Sequence, residues 1–378
     1  MSGPADWVLH VDLDEFLAAV EVGRRPELRD RPVVVGGSGD PTQRGAVAAA
    51  SYAARRHGVR SGMALRTAAR RCPEAVFLPS DKPAYEAVSA RVMDVLRRFA
   101  VVEVLGWDEA FLGARTDDPE ALAAEVQRAV REATGLSCSV GIGDNRLRAK
   151  VATGFAKPAG VRRLTRDDWM AVMGHRPPDA LWGVGAKTAR KLAGMGITTV
   201  RQLALADRAD LAARFGPTMG PWYQVLARGL GGTTVSAAPY RARSRSREET
   251  FQADVADRAL LDEQVVTLAH RVAADVAEEG RPAVRVAVKV RFAPFFTTTR
   301  SVPLAAPTSD PGAIGRAALA ALDRFDHGRP VRLLGVRADL APPEPGPSPQ
   351  PEGEAPARPV ASGAARDEPR GRRRGGDA

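Results

Sequence analysis

Two spacings of apolar residues alternate along this chain and divide it into strand-like and helix-like stretches. Residues 7–14, Trp-Val-Leu-His-Val-Asp-Leu-Asp, read as a buried strand. Its end carries acids at alternate positions, which places Asp12 and Asp14 on one side. Residues 15–21 are helix-forming, so the acids sit at a strand-to-helix junction. That junction suits a metal or phosphate site; a helix cap by Asp14 is the competing reading. A short strand closed by glycines follows at residues 31–37, then an alanine-rich stretch at 45–59 that propensity makes helical. Gly58 would end that helix, and Tyr52 and Arg55, three apart, would share one of its faces. Residues 82–99 have helical spacing, and 101–112 form a hairpin. Asp118 and Pro119 open a helix to Ala133, and 135–143 form a strand ending in glycines. Strand, helix, hairpin, helix, strand is the split βαβ, ferredoxin-like order, here interrupted after its first strand by an insertion to about residue 77.

Beyond this unit the pattern changes. Leu181-Trp182-Gly183-Val184-Gly185 precedes a helix carrying Lys187, Arg190 and Lys191. Backbone N–H groups at such a turn suit an anion, and the segment matches a helix-hairpin-helix element gripping DNA phosphate; a generic helix–helix turn is the competing view. Residues 233–243 read as a linker. Arg241, Arg243, Arg245 and Arg247 alternate, so a strand would line one face with them, either for a nucleic-acid backbone or as a protected edge. A helix near 260–279, a strand at 284–292, a helix near 312–325 and a strand at 332–340 make a second α+β unit. After Ala341 the chain turns to Pro, Gly, Glu and Arg and is expected to be disordered.

Composition narrows the partners. The formal net charge is +10 over 378 residues, which points to a polyanion, nucleic acid before acidic membrane. Two cysteines, Cys72 and Cys138, exclude a disulfide framework and a cysteine-rich zinc site. No apolar run approaches about 18 residues, and no charged-then-apolar leader opens the chain, so a cytoplasmic protein without membrane insertion is expected.

The chemistry centres on Trp107-Asp108-Glu109. Adjacent carboxylates between apolar strand residues fit either a tight hairpin turn or a metal site. Asp12, on a strand that would neighbour this one, makes a third carboxylate. Three converging carboxylates suit two metal ions roughly 4 Å apart, and Mg2+ held that way takes its remaining ligands from substrate phosphates. Tyr52, Arg55 and Lys157 could neutralise a triphosphate. Arg146 and Lys150 could also reach phosphates, or form a solvated helix face.

These motifs, Val11-Asp12-Leu13-Asp14, Ser51-Tyr52-Ala53-Ala54-Arg55, Trp107-Asp108-Glu109, Ser139-Val140-Gly141-Ile142, Ala156-Lys157-Pro158 and Gly183-Val184-Gly185, resemble those of the Y-family DNA polymerases of the DNA polymerase IV class. The resemblance runs from about Val8 to Leu340. It implies an α+β multidomain fold: a ferredoxin-like palm (1–15 and 78–164), a fingers insertion (16–77), a helical thumb with the helix-hairpin-helix (165–232), the linker (233–243), an α+β little finger (244–341) and the tail (342–378). It implies Asp12, Asp108 and Glu109 as metal ligands with the Leu13 carbonyl assisting, for two Mg2+ or possible Mn2+ ions. Phe16, Leu17, Tyr52, Arg55 and Lys157 would hold the nucleotide, and Gly183, Gly185, Lys187 and the arginine row the DNA. The implied activity is low-fidelity, translesion-type synthesis on primer-template DNA by a monomer; the rival reading is a catalytically silent DNA-binding accessory homologue. Leu17 stands where the family usually has an aromatic ring that excludes a 2′-hydroxyl, as in a leucine-gated subgroup from actinobacteria, so ribonucleotide use is expected beside deoxynucleotide use. Trp107 replaces a common serine, and Ala49 a common threonine or serine near the triphosphate. A clamp-binding peptide is not evident in the tail, so dependence on a sliding clamp is not expected.

Overall fold

A computed structural model describes residues 6–326 and 328–342; the expected disordered tail falls almost wholly outside the described residues. The first unit begins with strand β1 (Asp6–Leu13) and helix α1 (Phe16–Arg24). Then come β2 (Val33–Val35), β3 (Ala49–Ala50), α2 (Tyr52–Arg56), α3 (Leu65–Arg71) and β4 (Val76–Leu78). These three short strands form their own sheet in the order β3-β2-β4. The alanine-rich stretch is therefore not one helix. Ala49 and Ala50 pair antiparallel with Val35 and Val34, and helix begins only after Ser51, whose hydroxyl accepts from the Ala54 N–H. Gly36 permits this pairing, since a Cβ there would lie 2.3 Å from the Ala46 carbonyl oxygen. Tertiary pairing overrides helix propensity at this point.

The chain continues through α4 (Lys82–Leu96), β5 (Val101–Val104), β6 (Glu109–Arg115), α5 (Pro119–Thr134), β7 (Cys138–Gly143), α6 (Arg146–Ala156) and β8 (Val161–Leu164). The five strands lie in the order β5-β6-β1-β7-β8, with β1 antiparallel to both neighbours and β8, a strand not foreseen, parallel to β7. One sheet face, including Leu9, Val11, Leu112, Val140 and Ile142, packs against α4 and α5 residues such as Val92 and Val126. The other carries Val8 and Phe111 against Ala149 of α6. That helix can approach so closely because a Cβ on Gly141 would sit 2.0 Å from the Ala149 oxygen.

Five helices follow: α7 (Arg166–Met173), α8 (Ala186–Ala193), α9 (Val200–Leu205), α10 (Arg208–Phe215) and α11 (Met219–Ala227). They share a core around Trp169, whose indole donates to the Ala227 carbonyl at 2.8 Å. The last unit comprises β9 (Ser244–Val255), α12 (Arg258–Glu279), β10 (Ala283–Phe292), β11 (Phe296–Thr308), α13 (Pro311–Leu322) and β12 (Val331–Leu340). Its sheet runs β11-β10-β12-β9, with both helices packed on one face. Strand β11 was not apparent in the sequence because its residues are mostly exposed and Pro303 interrupts them; a proline is tolerated on an edge strand. The α+β multidomain expectation holds throughout. Among the described residues no helix is long and apolar enough to cross a membrane.

Candidate active site

Strand register brings the acids together. Asp12 lies directly opposite Glu109 across the β1–β6 pair, which sets both side chains on the same sheet face. Asp108 sits in the hairpin turn just before β6, and its carbonyl accepts the Leu13 N–H at 2.8 Å. The pair is thus both a hairpin turn and part of a carboxylate cluster. Burial and the nearby Asp12 carboxylate push the Asp108 carboxyl above its ordinary range. Glu109 goes the other way: hydrogen bonding from His10 and Lys150 holds it down at about 2.

His10 and Lys150 complete this corner. His10 is 1% exposed, two residues before Asp12 and so on the same strand face. Its Nδ1 lies 2.9 Å from Thr153 Oγ1 and its Nε2 3.3 Å from Glu109 Oε2. Burial lowers the imidazole below its usual range. Lys150 Nζ donates to Glu109, lies 3.1 Å from His10 Nε2, and stands 5.3 Å from the centre of the Trp182 ring. The sequence marked Lys150 only as a possible phosphate contact; the period-two pattern on β1 was the signal that could have found His10. Arg146 is engaged elsewhere, paired with Glu103 and set over the Phe111 ring.

A cleft of about 250 Å³ opens beside the acids, lined by Asp12, Leu13, Phe16, Leu17, Arg55 and Lys157 among others. Leu17 faces it from α1, half-buried, while the Phe16 ring is 3% exposed and turns into the core, edge-on to Tyr85. Ala49 borders the same space, as does Trp107, whose ring lies 6.5 Å from Tyr85. Lys157 forms an ion pair with Asp12. Arg55 donates through Nε to the Ala50 carbonyl at 2.9 Å, with its guanidinium 5.2 Å from the centre of the Tyr52 ring.

Asp14 does not join the candidate cluster of Asp12 and Glu109 and does not cap α1. Glu15 takes the cap position, in the left-handed region at φ 45°, without a side-chain cap bond. The Asp14 carboxylate, 2% exposed, instead accepts four hydrogen bonds, from Tyr52 Oη, Ser137 Oγ, Ser139 Oγ and the Ala159 N–H. Burial, and secondly the bond to Asp14, raise the Tyr52 phenol, which keeps it a donor.

The donor set fits hard divalent cations. Asp108 borders the same cleft as Asp12, and after burial the Asp12 carboxylate is the main influence raising it, a repulsion that a cation would relieve. His10, Asp12 and Glu109 place candidate ligand atoms within 4.8 Å of one another.

The expected DNA contacts are distributed over two other surfaces. Gly183 has φ +93°, a conformation that favours glycine, and Gly185 is the N-cap of α8. Lys187, Arg190 and Lys191 line an open groove with Arg214. The arginine row is placed differently from its expected role. Arg245 and Arg247 do share one face of β9, but it is the face covered by α12, where they pair with Glu279 and Asp275. Arg241 and Arg243 precede the strand and are exposed. The uncovered sheet face carries Ser246 of β9, Arg285, Lys289 and Arg291 of β10, and Thr297, Thr299 and Ser301 of β11.

Residues 11–154 match the impB/mucB/samB family, and residues 242–350 match that family's C-terminal domain. DNA polymerase IV 2 of Mycobacterium tuberculosis is 53% identical over 340 residues, covering 89% of this chain and 98% of the relative. DNA polymerase IV of Methanoculleus marisnigri is 42% identical over 341 residues, covering 88% and 94%. Among solved structures, a Dbh-based Y-family DNA polymerase chimera superposes with a TM-score of 0.76 at 25% identity, covering 88% of this chain and 98% of that one. An insertion ternary complex of Dbh DNA polymerase gives 0.61 at the same identity and the same coverage. The chain belongs to the Y-family DNA polymerases, in the DNA polymerase IV class.

Proposed function

We propose that this polymerase extends a DNA primer by two-metal nucleotidyl transfer at Asp12, Asp108 and Glu109 and accepts ribonucleotides beside deoxynucleotides. The observation that carries the proposal is the single cleft in which Asp12, Asp108, Leu17, Arg55 and Lys157 meet. Two divalent ions, Mg2+ or Mn2+, held by the three carboxylates and the Leu13 carbonyl, would supply charge at the attacking and leaving oxygens. The chain's own part is to place the reactants. Arg55 and Lys157 orient the triphosphate, with Tyr52 anchoring the Arg55 helix through Asp14, so that the primer 3′-oxygen can form its bond to the α-phosphorus as pyrophosphate leaves in line. Lys150 stands against Glu109 and Trp182, where it would steady the primer end. Gly183, Gly185 and Lys187 would hold a DNA phosphate at the start of α8. The uncovered little-finger face, with Arg285 and Arg291 among hydroxyls, would meet the duplex backbone; Arg241 and Arg243 extend that basic surface, whereas Lys289 is paired with Glu248, and Arg245 and Arg247 with Glu279 and Asp275.

The sugar choice rests on Leu17. An aliphatic side chain with no planar face presents less bulk to a 2′-hydroxyl than an aromatic ring, which supports reading the chain as a leucine-gated member of the class. Primer extension with each nucleotide type tests this. Wild type should incorporate ribonucleotides readily, and Leu17→Phe should suppress that use by about 10- to 100-fold while sparing deoxynucleotides, the range that pocket shape alone supplies. Strong discrimination by the wild type would refute the sugar-gate reading. Translesion-type, low-fidelity synthesis is part of the same proposal, read from the open cleft.

A further inference from the structure

The β1–α1 turn contains two acids that hold Tyr52 from both ends. Tyr52 Oη donates to Asp14 Oδ1 at 2.8 Å, and the Tyr52 backbone N–H donates to the Glu15 carboxylate. The remaining bonds of Asp14 run to other segments. Ser139 Oγ of β7 donates at 2.9 Å, Ser137 Oγ at 3.0 Å, and the Ala159 N–H, two residues after Lys157, at 2.9 Å. The Asp14 N–H closes the turn onto the Ser137 carbonyl at 3.0 Å. One buried carboxylate thus connects the fingers helix bearing Tyr52 and Arg55 with the palm loop bearing Lys157.

A carboxylate is the group such a node requires. It accepts through both oxygens and donates nothing, which suits four converging donors. Neither an amide nor an alcohol offers the same acceptor count. Leaving any of these donors unpaired in the interior carries a desolvation penalty, so the node constrains all its partners together.

We infer that Asp14 is a positioning residue for the triphosphate: by taking the single phenolic proton of Tyr52 it ties the helix of Arg55 to the loop of Lys157, the two cations left to meet the phosphates, without touching metal or nucleotide itself. The inference rests on the assignment of Arg55 and Lys157 to the triphosphate. Its signature is a defect in nucleotide binding rather than in the bond-forming step or in DNA binding. Asp14→Asn replaces one acceptor oxygen with a donor and should raise KM for an incoming deoxynucleotide about tenfold, with a smaller change in kcat and no change in the Kd for primer-template. A double-mutant cycle with Tyr52→Phe, which removes the phenolic donor, should be non-additive, the double variant being no worse than Asp14→Asn alone.

Steady-state primer extension on the full chain, with DNA binding measured in parallel, decides the matter. An unchanged KM with a lowered kcat, or additive effects of the two substitutions, would overturn the inference. Should Asp14→Asn not fold, Ser139→Ala removes a single donor and should raise KM about twofold to threefold; wild-type KM in that variant would equally overturn it. Lack of primer extension by the wild type would instead remove the underlying assignment, so the two failures are distinguishable.

Discussion

The acids at the end of β1 and the arginines along β9 follow the same rule of alternation, with opposite outcomes. At β1, alternate residues His10 and Asp12 sit opposite Phe111 and Glu109 on the face that meets α6, and the end of that face opens into the cleft. At β9, alternate residues Arg245 and Arg247 sit on the face that α12 covers, opposite Glu279 and Asp275. Alternation decides which side chains share a face; packing decides whether that face is open. A motif confined to one strand therefore reports chemistry only after its neighbours are known.

Four substitutions test this contrast. The largest effect is expected at the acids: Glu109→Gln should lower kcat by roughly 10³-fold or more, as loss of a group acting directly on transition-state charge does, with circular dichroism unchanged. Single-turnover extension would check it, and a mild loss would dissolve the distinction between an open and a covered face. Next, Leu17→Phe should change the ribonucleotide-to-deoxynucleotide ratio of kcat/KM as stated above, because Leu17 borders the cleft beside the acids. A smaller effect separates the two arginine sets. Arg291→Ala, on the uncovered face, should weaken primer-template binding severalfold and reduce the salt slope by about 1, whereas Arg247→Ala should leave the slope nearly unchanged. Equal slopes would restore the β9 row as a DNA contact. The smallest effect concerns the cysteines. Burial pushes Cys72 up to about 11 and Cys138 up to about 12, and both thiols are buried. A thiolate-selective reagent at pH 8 should thus modify neither until the protein is unfolded.

The same contrast explains what was legible in the sequence. Asp12, Asp108 and Glu109 could be read because each lies at a strand end whose apolar flanks fix the pairing, and a one-residue slip would bury the acids' neighbours wrongly. The cap Asp118 was legible for a similarly local reason, a side chain serving its own helix. Asp14 was not, because its partners come from residues 52, 137, 139 and 159, and no local spacing announces them. Ala49 and Ala50 misled through propensity, which a strand partner at Val34 and Val35 outweighs. Strand β11 was obscured because an edge strand lacks the buried alternation that identifies a central one.

The central claim is that the carboxylates at the β1–β6 junction perform the chemistry while the basic surfaces only hold DNA. Its most direct measurement is Asp108→Ala compared with wild type in two assays, primer extension and primer-template binding. Extension should be abolished while the DNA Kd stays within about twofold of wild type, since the role proposed for Asp108 is to hold metal rather than DNA phosphate. Extension at the wild-type rate in that variant would contradict the claim.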